Sequence, residues 1–159
     1  MNFNIIKVKN INELNNLVKK GYFNIAFGGY DELNRKILEN KNIQLLLDPE
    51  NNDEDYMHFK NSGLNQVLVK LAKKNNIAIG FSFNKILKLN NEERVNLLGK
   101  IMQNIMLCNK YKVKMYIVNF VNEKLDERNI NDLRDFGITL GMLPGKFEIL
   151  EIKNLKKFF

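Results

Sequence analysis

One histidine, His58, and one cysteine, Cys108, are all that this chain of 159 residues has of either type. A single histidine excludes by count any metal centre built on several imidazoles, which is what a metal hydrolase of the barrel type usually carries. A single cysteine excludes an internal disulfide framework and fits a reducing compartment, so the cytoplasm is the expected location. No apolar run approaches the roughly 18–20 residues of a membrane span, and no membrane association is expected. The opening MNFNIIKVKN lacks the basic, apolar and small-residue regions of a signal peptide. The phosphate-loop spacings G-x-G-x-x-G and G-x-x-x-x-G-K-[ST] are missing, so Gly28–Gly29 reads as turn chemistry. There is no tryptophan, and the aromatic residues are largely Phe inside apolar runs, which is core material and not a stacking ladder for single strands.

What is present is positive charge. Lys and Arg number 25 against 18 Asp and Glu, a net charge of +7, which favours polyanionic partners such as nucleic acid. The hydrophobic share of 45% is enough for a core, and the length suits a single domain over residues 1–159.

Short apolar runs alternate with helical patterns along the whole chain. Strands are expected at Phe3–Val8, Tyr22–Phe27, Ile43–Leu47, Ile77–Phe83 and Val113–Val118. Helices are expected from Ile11 to about Lys19, over Asp31–Glu39, through Leu64–Ala72, over about Asn91–Lys110 and near Asn131–Met142. Leu64, Val67, Leu68, Leu71 and Ala72 fall at i, i+3, i+4, i+7 and i+8, an amphipathic face, with Lys70, Lys73 and Lys74 on the other side. Val95, Leu98, Met102 and Ile105 are expected to face inward on the longest helix, whose start has the Asn90/Glu93 capping-box spacing. Asn10 and Glu13 repeat that spacing at the first helix. Phe147–Ile152 fits a strand or a short helix equally. About five or six β–α units with apolar strands imply a parallel sheet covered by helices. A full eight-unit barrel needs roughly 200 residues or more, so the expectation is an α/β fold built as a compact or incomplete (β/α) barrel, or an open sheet.

Candidate chemistry is sparse. Asp48 ends the third strand, where a barrel enzyme places a ligand, and Asp53, Glu54 and Asp55 follow in a polar loop. These carboxylates could hold a divalent ion through oxygen, but an acidic surface loop is the commoner explanation. His58 reads as a loop residue. Cys108, with no histidine near it in sequence, reads as a small buried hydrophobe.

The wording of several segments is more specific. Gly28–Gly29 with Asn34–Arg35, then Leu46–Leu47–Asp48–Pro49, then Lys60–Asn61–Ser62–Gly63–Leu64–Asn65, then Asn75–Asn76–Ile77–Ala78–Ile79–Gly80–Phe81–Ser82 occur in order. Leu133–Arg134 and Leu140–Gly141–Met142 follow. In this order and spacing, over roughly Ala26–Met142, the chain resembles the archaeal ribonuclease P protein component 3 family, counterpart of a eukaryotic ribonuclease P and MRP subunit. It departs from the family pattern at Asp48, where a His is expected, and in a longer, more acidic loop over Glu50–Phe59.

The resemblance implies a barrel like that of the polymerase and histidinol phosphatase metal hydrolases, with the catalytic function lost. It implies a non-catalytic subunit of ribonuclease P, paired with protein component 2. In that enzyme the RNA removes the 5′ leader of precursor tRNA with Mg²⁺, and this chain itself binds no cofactor. Basic side chains that could then meet RNA are Arg35, Lys36, Lys60, Lys85, Lys88, Lys112, Lys114, Arg128 and Arg134. Two other readings stay open on the residues alone. One is a metal-dependent phosphoesterase using Asp48 and Asp53; the other is a generic α/β RNA-binding module.

Overall fold

The computed structural model describes residues 2–8, 10–52 and 61–153. Six strands, β1 (Phe3–Ile6), β2 (Phe23–Phe27), β3 (Leu45–Leu47), β4 (Ala78–Ser82), β5 (Met115–Val121) and β6 (Phe147–Lys153), lie in sequence order in one sheet. Every neighbouring pair is parallel, with Ile5 opposite Ile25, Ile25 opposite Leu45 and Leu45 opposite Ala78. The ambiguous Phe147–Ile152 run is thus a strand, on an edge of the sheet.

Parallel strands need crossovers, and six helices supply them. These are α1 (Leu14–Leu17), α2 (Asp31–Glu39), α3 (Gln66–Asn75), α4 (Phe83–Lys88), α5 (Asn91–Tyr111) and α6 (Ile130–Thr139). Side chains alternate across the sheet and build two cores. Ile6, Ala26, Leu46, Ile79, Phe81 and Ile117 pack under the helices. Ile5, Ile25, Leu45, Leu47, Val118 and Phe120 pack with one another on the other face. The second core shows that the sheet curls. Phe27 on β2 stacks on Phe120 on β5 with ring centroids 6.3 Å apart, whereas three strand spacings in a flat sheet would put them roughly 14 Å apart. The fold is a curled, open parallel sheet: a half-barrel.

Several sequence expectations need correction. The first helix is a 3-10 turn (Ile11–Glu13) followed by the single turn of α1, and Asn10 accepts from the Asn12 amide at 3.1 Å in place of a full capping box. Asn12, Asn15 and Asn16 are poor helix formers, and so short a helix has little to sustain it. Asn65 caps α3 through Val67 and Leu68, which leaves Val67 67% exposed and not on the inner face. Helix α4 was not expected, because Phe83–Lys88 follows β4 directly, with no side-chain cap and no glycine or proline to mark a boundary. Helix α5 does begin with the Asn90/Glu93 capping box, but it buries Leu97, Ile101, Ile105 and Cys108 and leaves Val95 and Met102 outside. Its apolar residues lie on both faces, so periodicity could not choose between them.

A single side chain ties the carboxyl ends of the first strands together. Asn34 is fully buried; its Oδ1 accepts from the Gly29 amide at 2.9 Å. Its Nδ2 donates to the carbonyls of Gly29, Pro49 and Gly63, each at 2.9 Å. The backbone closes so tightly there that a Cβ on Gly63, which sits at φ +75°, would lie 1.8 Å from the Pro49 carbonyl oxygen. A Cβ on Gly28 would meet Asn34 Oδ1 at 2.6 Å and Pro49 Cα at 2.8 Å. Asn34→Ala should strip these buried groups of partners and lower unfolding stability by about 3 kcal/mol or more in urea titrations. Gly63→Ala should leave no cooperatively folded chain by circular dichroism, since the clash is with backbone.

Candidate nucleic-acid interface

The carboxyl end of the sheet is where an α/β enzyme would keep its catalytic groups. Here those groups are absorbed by structure. Asp48 is buried, sits at φ 51°, and accepts the Ser82 amide at 2.7 Å through its carboxylate. Glu50 is 2% exposed, with Lys85 Nζ 3.7 Å away and no hydrogen-bond partner for either carboxylate oxygen among the described residues. Lys100 reaches from α5 to the carbonyl and side-chain oxygens of Asn52, at 3.2 and 3.3 Å. Burial raises the Asp48 carboxyl above its ordinary range against the pull of Lys85. Burial, then the neighbouring Asp48 charge, lifts Glu50 to about 8, with Lys85 and Lys100 opposing. Among the described residues no three His, Cys, Asp or Glu groups come together as metal ligands. Asp53, Glu54, Asp55 and His58 lie outside the described residues. Cys108 is buried, and desolvation pushes its thiol up to about 12, so it is no nucleophile.

The Glu50 environment sets a pH dependence. A carboxyl whose folded pKa is raised keeps its proton longer in the folded chain than in the unfolded one. Stability is therefore lost as pH rises from its ordinary value of 4.5 toward about 8. Glu50→Gln removes that loss. Thermal melts should show its advantage over wild type widening across this window, to on the order of 1 kcal/mol or more at the alkaline end.

Positive charge collects at the opposite end. Helices α2, α3, α5 and α6 each lead into a strand, so the carboxyl terminus of each lies beside the start of that strand, where the helix dipole favours cations. Lys73 and Lys74 close α3, and Lys110 closes α5. Lys112 is the cap beyond α5, Lys114 precedes β5, and Lys146 precedes β6. Lys19 and Lys20 stand before β2 and Lys41 before β3. All of these are exposed. They surround a cavity of about 670 Å³ at the start of β4, β5 and β6, into which Lys73, Lys112, Lys114 and Lys146 face together with Asn76, Tyr116 and Leu143. Lys73 Nζ donates to the Lys112 carbonyl at 2.8 Å. Lys114 pairs with Glu148 at 2.9 Å and lies 5.0 Å from the Tyr116 ring centroid. The hydrogen bond between Lys114 and Glu148 raises the lysine and lowers the carboxyl.

Of the residues singled out from sequence, Lys112 and Lys114 meet at this cavity. Arg35 and Lys36 ride on α2 and share Glu39, at 3.0 and 3.8 Å, and Lys36 lines a shallow depression with Lys20. Lys85 and Lys88 sit on α4 toward the carboxyl end of the sheet, the first held by Glu50. Arg128 donates to the carbonyls of Leu125 and Glu127, and Arg134 to the Asn131 side chain at 3.1 Å. Lys60 lies outside the described residues. Sequence reasoning did not select Lys73 or Lys146. The available signal was position: a lysine between a helix end and a strand start.

No protein-family model matches the sequence. Ribonuclease P protein component 3 of Methanococcus maripaludis (strain C5) is 32% identical over 136 residues, covering 82% of this chain and 56% of that protein. The Methanococcus vannielii protein of the same description is 31% identical over 135 residues, with the same coverage. That of Methanosarcina mazei is 30% identical over 118 residues, covering 74% of this chain and 46% of the relative. A chain in the cryo-EM structure of an archaeal ribonuclease P with mature tRNA superposes with a TM-score of 0.73 at 29% identity, over 87% of this chain and 59% of that one. The chain spans about half the length of the curated relatives it matches. It belongs to the archaeal ribonuclease P protein component 3 family.

Proposed function

We propose that this chain works as a non-catalytic protein subunit of ribonuclease P, in the cytoplasm, and supports the catalytic RNA in removing the 5′ leader of precursor tRNA. The observation that carries the reading is the match, in fold and sequence together, to a chain of an archaeal ribonuclease P bound to mature tRNA. The charge distribution supports it. A folded RNA brings phosphates together against their repulsion, and a rigid basic rim replaces condensed counterions. The exposed lysines before β2, β3, β5 and β6 are such a rim, with Lys36, Lys112 and Lys114 as contacts and Arg35, Lys60, Lys85, Lys88, Arg128 and Arg134 as further candidates on other faces. Mg²⁺ would serve the RNA. Reconstitution with ribonuclease P RNA should lower the Mg²⁺ concentration needed for precursor-tRNA cleavage, and reversing Lys112 and Lys114 to Glu should cancel most of that gain. Cleavage unchanged across a Mg²⁺ titration with and without the wild-type chain would sink the reading.

Protein component 2 is the proposed protein partner, and it needs an apolar patch to dock on. Helix α5 offers one: Val95, Met102 and Met106 are 68%, 45% and 72% exposed, and their spacing puts them on one stripe. The double substitution Met102→Lys, Met106→Lys should leave the melting temperature within a few degrees of wild type. It should weaken co-elution with component 2 on size-exclusion chromatography by at least about tenfold in affinity.

A further inference from the structure

We propose that the cavity at the amino-terminal end of the sheet is a site for one unpaired nucleotide of an RNA strand. Flanking phosphates would lie on Lys73, Lys112 and Lys146, and the base against Leu143. This rests on the subunit reading and sharpens where and in what form RNA is held.

Three observations converge on it. The first is charge: four lysines line the cavity against a single carboxylate, Glu148, and that carboxylate is engaged by Lys114 at 2.9 Å. Neither the Lys112 nor the Lys146 ammonium has an ion pair among the described residues.

The second is shape. A concavity of about 670 Å³ is of small-ligand size. A duplex presents phosphates on a wide convex cylinder and cannot enter it, whereas an unstacked nucleotide can. Leu143 is 50% exposed and gives a base an apolar surface, while Asn76, also exposed, offers polar atoms that base edges use.

The third is backbone conformation at Lys112. The residue caps α5 at φ 55°, a left-handed position where glycine is at ease and lysine is strained. The equivalent end of α3 uses Asn76 at φ 56°, and asparagine tolerates that region. The other left-handed positions at this end, among the described residues, are Gly21, Gly141 and Gly145. Of these positions only Lys112 carries a long cationic side chain. Its structural bonds, the amide to Asn109 and Cys108 and the carbonyl to Lys73, are all backbone and survive loss of the side chain. The dipole of α5 favours a cation there, and the ammonium is left exposed for a phosphate.

That separation makes the test sharp. Lys112→Gly relieves the strain and removes the charge, so stability and binding should move in opposite directions. The full chain is titrated with a labelled single-stranded oligouridylate and with a hairpin duplex of equal length, over a range of salt. Wild type should prefer the single strand. Lys112→Gly should melt at or above the wild-type temperature and bind the single strand about threefold to tenfold more weakly. It should also flatten the slope of log K against log salt by about 0.7 for each phosphate that is no longer neutralised. Adding Lys146→Ala should flatten it by a similar step. Strands carrying 4-thiouridine should crosslink to peptides containing residues 112–116 or 143–148.

The assignment is overturned if Lys112→Gly binds like wild type, if the duplex competes as well as the single strand, or if an acidic peptide fills the cavity and RNA does not displace it. The two readings fail separately. Unchanged oligonucleotide binding by the variants, with wild type still co-purifying ribonuclease P RNA, defeats the cavity assignment alone. Variant-sensitive oligonucleotide binding, with no ribonuclease P RNA co-purified, defeats the subunit reading alone.

Discussion

The Asn34 carboxamide is the constraint on which the carboxyl end of this half-barrel depends. A planar group with an acceptor on one side and two donors on the other can bond three backbone segments at once. Here it holds the turn after β2, the exit of β3 at Pro49 and the loop before α3 at Gly63. No carboxylate could do this, because it donates nothing, and no hydroxyl could reach all three. The close approach of those segments is possible only because Gly28 and Gly63 carry no side chain. The glycine turn, the Asp-Pro strand end and the Ser-Gly-Leu-Asn loop, by which the sequence resembles its family, therefore meet at one point in space. They are legible for a mechanical reason: each supplies backbone that only its own residue types can bring that close.

The same knot removes the chemistry that the position would suggest. Asp48, at the strand end where a barrel enzyme would hold a ligand, spends its carboxylate on the Ser82 amide. Glu50 turns into the interior against Lys85. Among the described residues, Asp48, Glu50 and Lys100 are engaged at this end, and exposed lysines gather at the other. Helix polarity explains the asymmetry without appeal to function, since every α-to-β connection in a parallel fold brings a helix carboxyl terminus to the same end.

Much of this was visible in the sequence, and the losses have physical causes. Five of the six strands and the parallel sheet followed from the apolar runs and their spacing, whereas the strand order did not. The α5 register did not follow, because Val95 and Met102 are as apolar as Leu97 and Ile101, and only docking on the sheet decides which pair is buried. Helix α4 was hidden because it follows β4 directly, with no side-chain cap and no glycine or proline between them. The cavity could not be seen at all, since its lysines come from three separate connections. The left-handed backbone at Lys112 was equally invisible, as lysine is not the residue one expects there.

The Glu50–Lys85 contact shows how charge is held at the carboxyl end among the described residues. A buried carboxylate recovers little net stability from a partly exposed lysine, because the cost of leaving water offsets their attraction. The raised Glu50 carboxyl means that desolvation outweighs the pull of both lysines. Lys85 lies 3.7 Å from Glu50 with its side chain partly exposed, and Lys100 is bonded to Asn52. Among the described residues, exposed lysines thus gather at the end where helices terminate, away from the carboxylates already bound at the other.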